Sequence, residues 1–275
     1  MSLQSTIAAE FYAVPGRAST RALNPLQGDV CRVIPSFTAL SAKPSTAPRP
    51  MKKVGEFWVP DEDMRYHWFR LWKAGKQRHK TILRFAEGNA YKNEDIATAL
   101  AYVPGHQVAI DGGAHVGAYT RAMAEHFETI YAFEPTPATF AALDRNLREW
   151  GLADRVHASQ MALSDRHEKV RLSLSPWQRS ISRRIVGPGN IPTTLIDELE
   201  LEILDFIKLD VEGYELRALR GAEATLQRCR PMVMFEDKDK YGEENIRLAH
   251  EYIQSLGAHL IVRMGRRQND CLYGF

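Results

Sequence analysis

No uninterrupted apolar segment of this sequence approaches the roughly 18 residues that a helix needs to cross a bilayer. Residues 1–25 also lack the hydrophobic block of a secretory signal. Three cysteines, Cys31, Cys229 and Cys271, lie far apart, and there is no C-x-x-C pair. These absences argue against a disulfide framework and against the usual zinc-binding spacings. They predict a soluble, cytoplasmic protein.

Neither basic nor acidic residues are in large excess. The chain has 36 basic and 34 acidic residues and a formal net charge of +2, which is too weak to indicate nucleic acid as a partner of the whole surface. Residues 1–50 contain only Glu10 and Asp29 as acidic residues and show no apolar periodicity, so we predict a flexible N-terminal tail. An organelle transit peptide and a true start at Met51 are the alternatives.

Residues 51–89 are predicted to form an extension rich in aromatic and basic side chains. Tyr66, Phe69 and Trp72 recur at helical spacing, which favours a short helix packed on the main domain. The alternative is a platform on which single-stranded nucleic acid or a sugar stacks.

From residue 90 to residue 275, predicted strands alternate with predicted helices, which indicates a single α/β domain. The predicted strands cover residues 108–110, 130–134, 155–163, 204–210 and 232–236, followed by a closing hairpin of residues 259–264 and 271–275. The predicted helices cover residues 118–127, 136–150 and 214–228, and a last helix carries Ile246 to Leu256. A β-rich excursion is predicted over residues 168–187.

The stretch V-A-I-D-G-G-A-H-V-G, residues 108–117, places glycines between a strand and a helix, where cofactors usually bind. Dinucleotides need G-x-G-x-x-G, but His115 stands where the middle glycine belongs, which disfavours a nucleotide-dependent dehydrogenase. S-adenosylmethionine has no phosphate. A carboxylate such as Asp111 suits its cationic end, Gly113 permits close backbone approach, and Glu134 suits the ribose hydroxyls.

Carboxylates stand at the ends of several predicted strands. Asp210 and Glu236 end two of them, and Glu212 follows in the segment K-L-D-V-E-G-Y-E. Because the carboxyl ends of parallel strands meet at one edge, we expect these side chains to face one crevice. Asp210 or Glu212 is predicted to be the catalytic base or to orient the acceptor, and Glu236 is a third candidate. The alternative is a structural ion-pair network with Lys208.

No residue is assigned to a metal. The side chains of Asp210, Glu212, Glu236, Asp237 and Asp239 offer enough oxygens for Mg²⁺, but acids at strand ends are common without one.

Six segments make the chain resemble the FkbM-type S-adenosylmethionine-dependent methyltransferases. They are I-D-G-G-A-H-V-G-A-Y-T (110–120), A-F-E-P-T-P-A-T-F-A-A-L-D-R-N-L (132–147), M-A-L-S-D (161–165), T-T-L-I-D-E-L (193–199), D-F-I-K-L-D-V-E-G-Y-E-L-R-A-L-R-G-A-E-A-T-L (205–226) and R-P-M-V-M-F-E (230–236). The resemblance implies a class I methyltransferase (Rossmann-like) fold, with a seven-stranded, mostly parallel sheet, an antiparallel last strand and helices on both faces. It also implies O-methylation of hydroxyls on sugars, polyketides or other small molecules.

By matching position, Asp111, Gly113 and Gly117 would hold the methionine end, Glu134 the ribose, and Met161 to Leu163 would border the adenine, with Asp165 nearby. The full set assigned to the cofactor is Asp111, Gly112, Gly113, Ala114, His115, Gly117, Glu134, Pro135, Met161, Ala162, Leu163 and Asp210. His115 departs from the family, which often has Asn there, and the first 80 residues lie outside the shared pattern.

Two further observations concern the methyl acceptor. Residues 171–187 carry Trp177, Arg179, Arg183 and Arg184, which either overhang the acceptor site or form a solvated hairpin face. The N-P-P-Y or D-P-P-Y type of motif is absent, with K-L-D-V-E-G in its place, which disfavours methylation of a nucleobase nitrogen. We predict a small-molecule or glycan acceptor, and keep a nucleic-acid-directed methyltransferase or binding protein as the alternative.

Overall fold

Strands and helices alternate along most of the chain, as seen in a computed structural model that describes residues 50–61, 96–173, 185–237, 243–265 and 268–275. The strands are β1 (Met51–Val54), β2 (Phe57–Pro60), β3 (Val108–Gly112), β4 (Thr129–Phe133), β5 (Val156–Ser159), β6 (Ala162–Leu163), β7 (Lys169–Leu172), β8 (Ile185–Pro188), β9 (Ile191–Thr194), β10 (Phe206–Leu209), β11 (Met232–Glu236), β12 (His259–Met264) and β13 (Asp270–Gly274). The helices are α1 (Ala118–Met123), α2 (Pro137–Glu149), α3 (Glu215–Arg220), α4 (Glu223–Cys229) and α5 (Glu243–Ser255), with a 3₁₀ turn at Ile196–Leu199 and helical residues at 96–100.

A seven-stranded sheet lies at the centre, in the order β12-β13-β11-β10-β3-β4-β5. The pairs from β11 through β10, β3 and β4 to β5 are parallel, whereas β13 runs antiparallel to both β11 and β12. The predicted class I methyltransferase fold, with an antiparallel last strand, is confirmed. The apolar runs of β3, β10 and β11 have the composition expected of parallel strands buried on both faces, and Ile110, Phe206 and Val233 are fully buried.

Local pattern placed most elements correctly. The predicted bounds of β11 and β12 are confirmed to the residue, and α2 begins at Pro137 after Thr136 at the N-cap position, as predicted. Gly151 follows the helix with φ +67, which fits its predicted role as a stop.

Two elements differ from the prediction because distant segments pair with them. The single strand predicted over residues 155–163 splits, since Ala162 and Leu163 pair with Thr193 and Thr194 in a second sheet of order β6-β9-β7-β8. The helix predicted over residues 214–228 divides into α3 and α4 around Gly221. A Cβ atom at Gly221 would lie 1.9 Å from the carbonyl oxygen of Ser164, so the backbones touch at this break.

An N-terminal hairpin, β1 and β2, was not anticipated within the predicted 51–89 extension. It packs on α2, where Asn146 is fully buried. The Asn146 side chain accepts from the N–H of Trp58 at 2.7 Å and donates to the carbonyl oxygens of Trp58 and Val116 at 3.0 and 2.8 Å. The predicted tail and the helix of Tyr66, Phe69 and Trp72 lie outside the described residues.

The described helices are short or interrupted by polar side chains. None of those helices has the length and apolar character needed to cross a bilayer.

Candidate active site

A pocket with an empty volume of about 650 Å³, part of it open to solvent, lies at the carboxyl ends of the central strands. Nine predicted residues line it, namely Gly113, His115, Glu134, Pro135, Met161, Ala162, Leu163, Asp210 and Glu212. Six residues that the sequence did not single out also line it, namely Phe133, Thr136, Leu172, Ile185, Val211 and Tyr214.

The pocket's position follows from the strand order. Strand β3 lies between β4, which follows it in the chain, and β10, which comes much later. The order therefore reverses beside β3, and in open α/β sheets ligands bind in the crevice at such a switch point.

The glycine loop after β3 is fixed between the two neighbouring strands. Gly113 has φ +77, a left-handed conformation that favours glycine, and a Cβ atom there would lie 2.0 Å from the carbonyl oxygen of Asp210. On the other side, the N–H groups of Gly113 and Ala114 both donate to the carbonyl oxygen of Phe133 at 2.9 Å. The missing side chain lets the β3 and β10 backbones meet at the pocket.

His115 adopts a left-handed conformation as well, with φ +53. Asn, Asp and His are the non-glycine residues most often found in this conformation. Histidine can therefore adopt the backbone geometry required at this position, where the family often has Asn. Its N–H donates to Glu134 Oε2 at 3.0 Å. His115 thus ties the loop to the end of β4.

Glu134 is a carboxyl group that is 6% exposed and lines the pocket. Its Oε1 accepts from the N–H of Thr136 at 2.7 Å, and its Oε2 accepts from His115. Burial raises the pKa of Glu134 to about 7, although the hydrogen bonds from Thr136 and His115 and the charge of Lys208 oppose the rise. Its ionisation therefore changes near neutral pH.

Asp111 lies behind the loop and is fully buried. Its Oδ1 accepts from Lys208 Nζ at 2.8 Å, and its Oδ2 accepts from Thr120 Oγ1 at 2.6 Å. The register of β3 and β10 makes Asp111 and Lys208 direct neighbours, which puts both side chains on one face. This placement favours a supporting role over the predicted direct contact with the cofactor. The predicted residues Gly112, Ala114 and Gly117 also lie outside the pocket lining.

Lys208 extends this support to the loop itself. Its Nζ also donates to the carbonyl oxygens of Gly112 and Gly113 at 3.2 and 3.0 Å. Burial lowers the pKa of Lys208, but the carboxylates of Asp111 and Asp210 outweigh burial and raise that pKa above its usual value. The charged lysine forms a structural ion pair with Asp111, which was not among the acids of the network that the sequence left as an alternative.

The turn from β10 into α3 forms the opposite wall with Asp210, Val211, Glu212 and Tyr214. Glu212 has φ +56, a conformation that costs a non-glycine residue on the order of 1–3 kcal/mol and is concentrated at functional sites. From α5, Asn245 Nδ2 donates to the carbonyl oxygen of Gly213 at 2.6 Å, which holds the turn.

Glu215 lies directly behind this turn and was not assigned a role from the sequence. It is 1% exposed, and its Oε1 accepts from the N–H groups of Val211 and Gly213, both at 3.3 Å. Its Oε2 has no hydrogen-bond partner among the described residues. Burial, with a contribution from the charge of Asp210, raises the pKa of Glu215 to about 7. The only sequence signal for Glu215 is its position in the segment K-L-D-V-E-G-Y-E.

Two other predicted residues, Glu236 and Asp165, are not part of the pocket lining. Glu236 ends β11 opposite Asp270 of β13 and is outside the pocket lining. Asp165 pairs with Arg217 at 2.8 Å, and Arg217 also donates to Tyr214 Oη at 2.7 Å. Burial acts to raise the pKa of Asp165, but the Arg217 guanidinium holds it below its usual value. The pair anchors Tyr214 at the pocket wall.

The predicted β-rich excursion reaches the pocket through Leu172 of β7 and Ile185 of β8. The four side chains proposed to meet the acceptor, Trp177, Arg179, Arg183 and Arg184, lie outside the described residues.

These residues fit S-adenosylmethionine. The absence of a Cβ atom at Gly113 leaves the loop backbone accessible, Glu134 offers carboxylate oxygens to a ribose, and Phe133, Met161 and Leu163 offer apolar surface to a nucleobase.

Known proteins similar to this chain include one family and several solved structures. The model of the methyltransferase FkbM domain matches residues 111–272. Among solved structures, FkbM methyltransferase from Methylobacillus flagellatus KT is 22% identical, with 62% of this chain and 44% of that chain covered and a TM-score of 0.46. An S-adenosylmethionine-dependent O-methyltransferase from Thermotoga maritima is 12% identical, with 74% and 69% covered and a TM-score of 0.41. Precorrin-6y C5,15-methyltransferase from Geobacter metallireducens GS-15 is 13% identical, with 65% and 84% covered and a TM-score of 0.39.

The search of curated proteins found no match. The family model spans more than half of the chain and includes the loop after β3, the end of β4 and the turn after β10. The protein therefore belongs to the FkbM family of methyltransferases, and its cofactor is S-adenosylmethionine.

Proposed function

We propose that this protein methylates a hydroxyl oxygen of a sugar, a glycan or another small molecule. The supporting observation is that two carboxylates, Asp210 and Glu212, line the same pocket as the glycine loop and Glu134. Bound S-adenosylmethionine supplies an electrophilic methyl group. A hydroxyl acceptor must lose its proton as it attacks, and a carboxylate within hydrogen-bond reach can accept that proton.

Cofactor binding is assigned to the side of the pocket formed by β3 and β4. The loop backbone at Gly113 would face the methionine end, and Glu134 would accept hydrogen bonds from the ribose hydroxyls. Asp111 and Lys208 hold the loop from behind through the 2.8 Å ion pair and the bonds to the carbonyl oxygens of Gly112 and Gly113. This arrangement would position the methyl donor, and alignment of donor and acceptor is a main way in which such an enzyme lowers the barrier.

Proton acceptance is assigned to Asp210, with Glu212 as the second candidate. The N–H of Asp210 donates to the carbonyl oxygen of Gly112 at 2.9 Å, so its backbone is tied to the cofactor loop. This tether fixes where the Asp210 side chain begins relative to the cofactor loop. Glu236 remains a prediction from the sequence and has no part in the proposal, because it lies outside the pocket lining.

Apolar side chains complete the acceptor side. Leu172 and Ile185 come from the second sheet and contribute to the pocket lining. Closing apolar surface around the acceptor excludes water, which otherwise competes as a methyl acceptor and screens the charge of Asp210.

The test is methyl transfer by the full chain to a panel of free sugars, glycans, small alcohols and an oligonucleotide. We expect transfer to a hydroxyl compound, and an Asp210→Asn variant with kcat about 10²- to 10⁴-fold lower. Calorimetry should give that variant an affinity for S-adenosylhomocysteine close to that of the wild type. Glu236→Gln is the matched control, because it removes a strand-end carboxylate outside the pocket.

Unchanged turnover in Asp210→Asn would rule out this residue as the base and leave Glu212 to be tested in the same way. Salt-sensitive methylation of the oligonucleotide alone would replace the proposal with the nucleic-acid alternative.

A further inference from the structure

Three potential metal ligands meet at the carboxyl end of β11, where Asp237 follows the strand, and none of them belongs to the pocket lining. Asp237 follows β11, His250 lies on α5 and Cys271 lies on β13. We call this group the β11–β13 cluster. His250 Nε2 is 3.2 Å from Asp237 Oδ2, and Cys271 Sγ is 3.8 Å from the same oxygen. The three donor atoms all lie within 4.8 Å of one another.

These distances resemble those between ligands of a tetrahedral zinc ion. With metal–ligand bonds of about 2.0 Å to nitrogen or oxygen and about 2.3 Å to sulfur, neighbouring ligand atoms lie about 3.3–3.6 Å apart. The two measured separations are within a few tenths of an ångström of this range. The third separation, between the His250 nitrogen and Cys271 Sγ, is at most 4.8 Å, so side-chain rotation must close any excess over the tetrahedral range.

The orientation of His250 is set by a second contact. Its Nδ1 lies 2.7 Å from Tyr273 Oη, so that Nε2 points toward the carboxylate and the thiol. Zinc-bound histidines are held in this way by a hydrogen bond to the ring nitrogen that does not bind the metal. The ring also packs 5.0 Å from the ring of Phe235, which stacks on Tyr273. The histidine is thus oriented independently of any ion.

We propose that Asp237, His250 and Cys271 bind one zinc ion, with water as the fourth ligand. A thiolate together with an imidazole selects zinc over Mg²⁺ or Ca²⁺. On binding, Cys271 releases its S–H proton to the solvent, so that the thiolate and the Asp237 carboxylate balance the charge of the ion. Arg263, which donates to Asp237 Oδ2 at 2.7 Å, remains as a cation on that carboxylate.

The site would join β11, β13 and α5. Cys271 is fully buried, whereas the side chains of Asp237 and His250 are 16% and 17% exposed, so the cluster is partly accessible to solvent. None of the three residues lines the cofactor pocket. The zinc proposal and the proposed methyl transfer therefore rest on different residues, and either proposal can fail alone.

The experiment titrates Co²⁺ and then Zn²⁺ into the full chain, freed of any affinity tag and stripped with a chelator. A Cys31→Ser background removes the cysteine that lies outside the described residues. We expect a thiolate-to-cobalt charge-transfer band that saturates at one equivalent and is abolished by zinc. Saturating zinc should raise Tm by about 5 °C.

The variants test each ligand. Cys271→Ser should lose the charge-transfer band, and His250→Asn should weaken zinc binding at least about 100-fold, whereas removing the orienting hydroxyl in Tyr273→Phe should cost about 10-fold. Cys229→Ser and His157→Asn are the matched controls and should bind like the wild type. Circular dichroism establishes that each variant is folded.

The proposal is overturned if the folded wild type shows no one-equivalent band, or if the band persists in Cys271→Ser. Should Cys271→Ser fail to fold, His250→Asn decides. Binding of unchanged affinity in a folded His250→Asn variant also overturns the site.

Discussion

The strand junction and the hairpin contact use the same chemical groups at opposite degrees of burial. The strand junction is the meeting of β3 and β10, where Lys208 Nζ lies 2.8 Å from Asp111 Oδ1. The hairpin contact is the packing of β1 and β2 on α2, where Lys53 Nζ lies 2.7 Å from Glu149 Oε2. The side chains are 2% and 0% exposed at the junction, but 49% and 35% exposed at the hairpin contact.

The comparison shows that the distance between two charges does not by itself determine how much stability is lost when one of them is removed. A buried ion pair leaves an uncompensated charge in the protein interior when one partner is removed, whereas an exposed partner is simply hydrated. Only the junction supports the loop that faces the cofactor. Substitutions made in matched pairs, one in each region, should therefore have very different effects.

Removing the lysine should give the largest difference. Lys208→Met leaves the Asp111 carboxylate buried without its cation, and we expect the free energy of unfolding to fall by about 3–5 kcal/mol. Lys53→Met removes a half-exposed lysine from a pair of nearly equal length and should change stability far less. Urea denaturation of both variants measures the difference, and equal losses would show that burial does not control the two pairs.

Adding a methyl group should give the next largest difference. Gly113→Ala combines left-handed backbone strain with the clash at the Asp210 carbonyl oxygen. We expect the free energy of unfolding to fall by about 3 kcal/mol. Gly151, after α2, has a similar φ of +67 but no atom within 4 Å of the added Cβ position. Gly151→Ala should therefore cost only the strain, about 1 kcal/mol.

The same glycine variants separate folding from function. If Gly113→Ala remains folded at low temperature, calorimetry should still detect weakened binding of S-adenosylhomocysteine, because the loop must move away from β10. Normal affinity in a folded Gly113→Ala variant would contradict the role assigned to the loop.

The smallest expected effect concerns pH and compares two glutamates. Because the pKa of Glu134 is about 7, lowering the pH from 8 to 6 should protonate most of this side chain and weaken S-adenosylhomocysteine binding about 10-fold. A Glu134→Gln variant should lack this pH dependence. At the hairpin contact, the hydrogen bond from Lys53 lowers the pKa of Glu149, so Glu149→Gln should leave the profile unchanged.

The raised pKa of Glu134 also has a consequence for stability. Between its ordinary value of 4.5 and about 7, the folded state holds a proton that the unfolded state releases. The free energy of unfolding contributed by this group therefore falls as the pH rises through that window and changes little above it. Denaturation from pH 5 to 8 should show a smaller decrease in Glu134→Gln than in the wild type. Glu215, whose pKa is also about 7, accounts for part of what remains.

Sequence pattern located most of the sheet and most of the pocket. The strand β11 and the loop at Gly113 were predicted correctly because both depend on neighbouring residues, namely an apolar run that ends in an acid and glycines that relieve steric strain. The strand β6 and the break at Gly221 were missed because each depends on a backbone contact with a segment distant in the chain.

The candidate site was predictable to the same extent. Glu134 and Asp210 line the pocket as expected, because both stand at the ends of parallel strands. The supporting place of Asp111 and the burial of Glu215 could not be predicted, since both depend on which side chains surround them. The β11–β13 cluster has no short-range motif at all, because its three residues lie on separate elements.

What the sequence alone determined is the order of the elements and the types of residue at the strand ends, because hydrophobic periodicity and steric limits on φ act between near neighbours. The tertiary structure decided which carboxylates face the pocket and which distant side chains meet at β11. It also decided that Asp111 is paired with Lys208 behind the pocket. These outcomes depend on strand register and burial, and both arise only when segments far apart in the chain pack together.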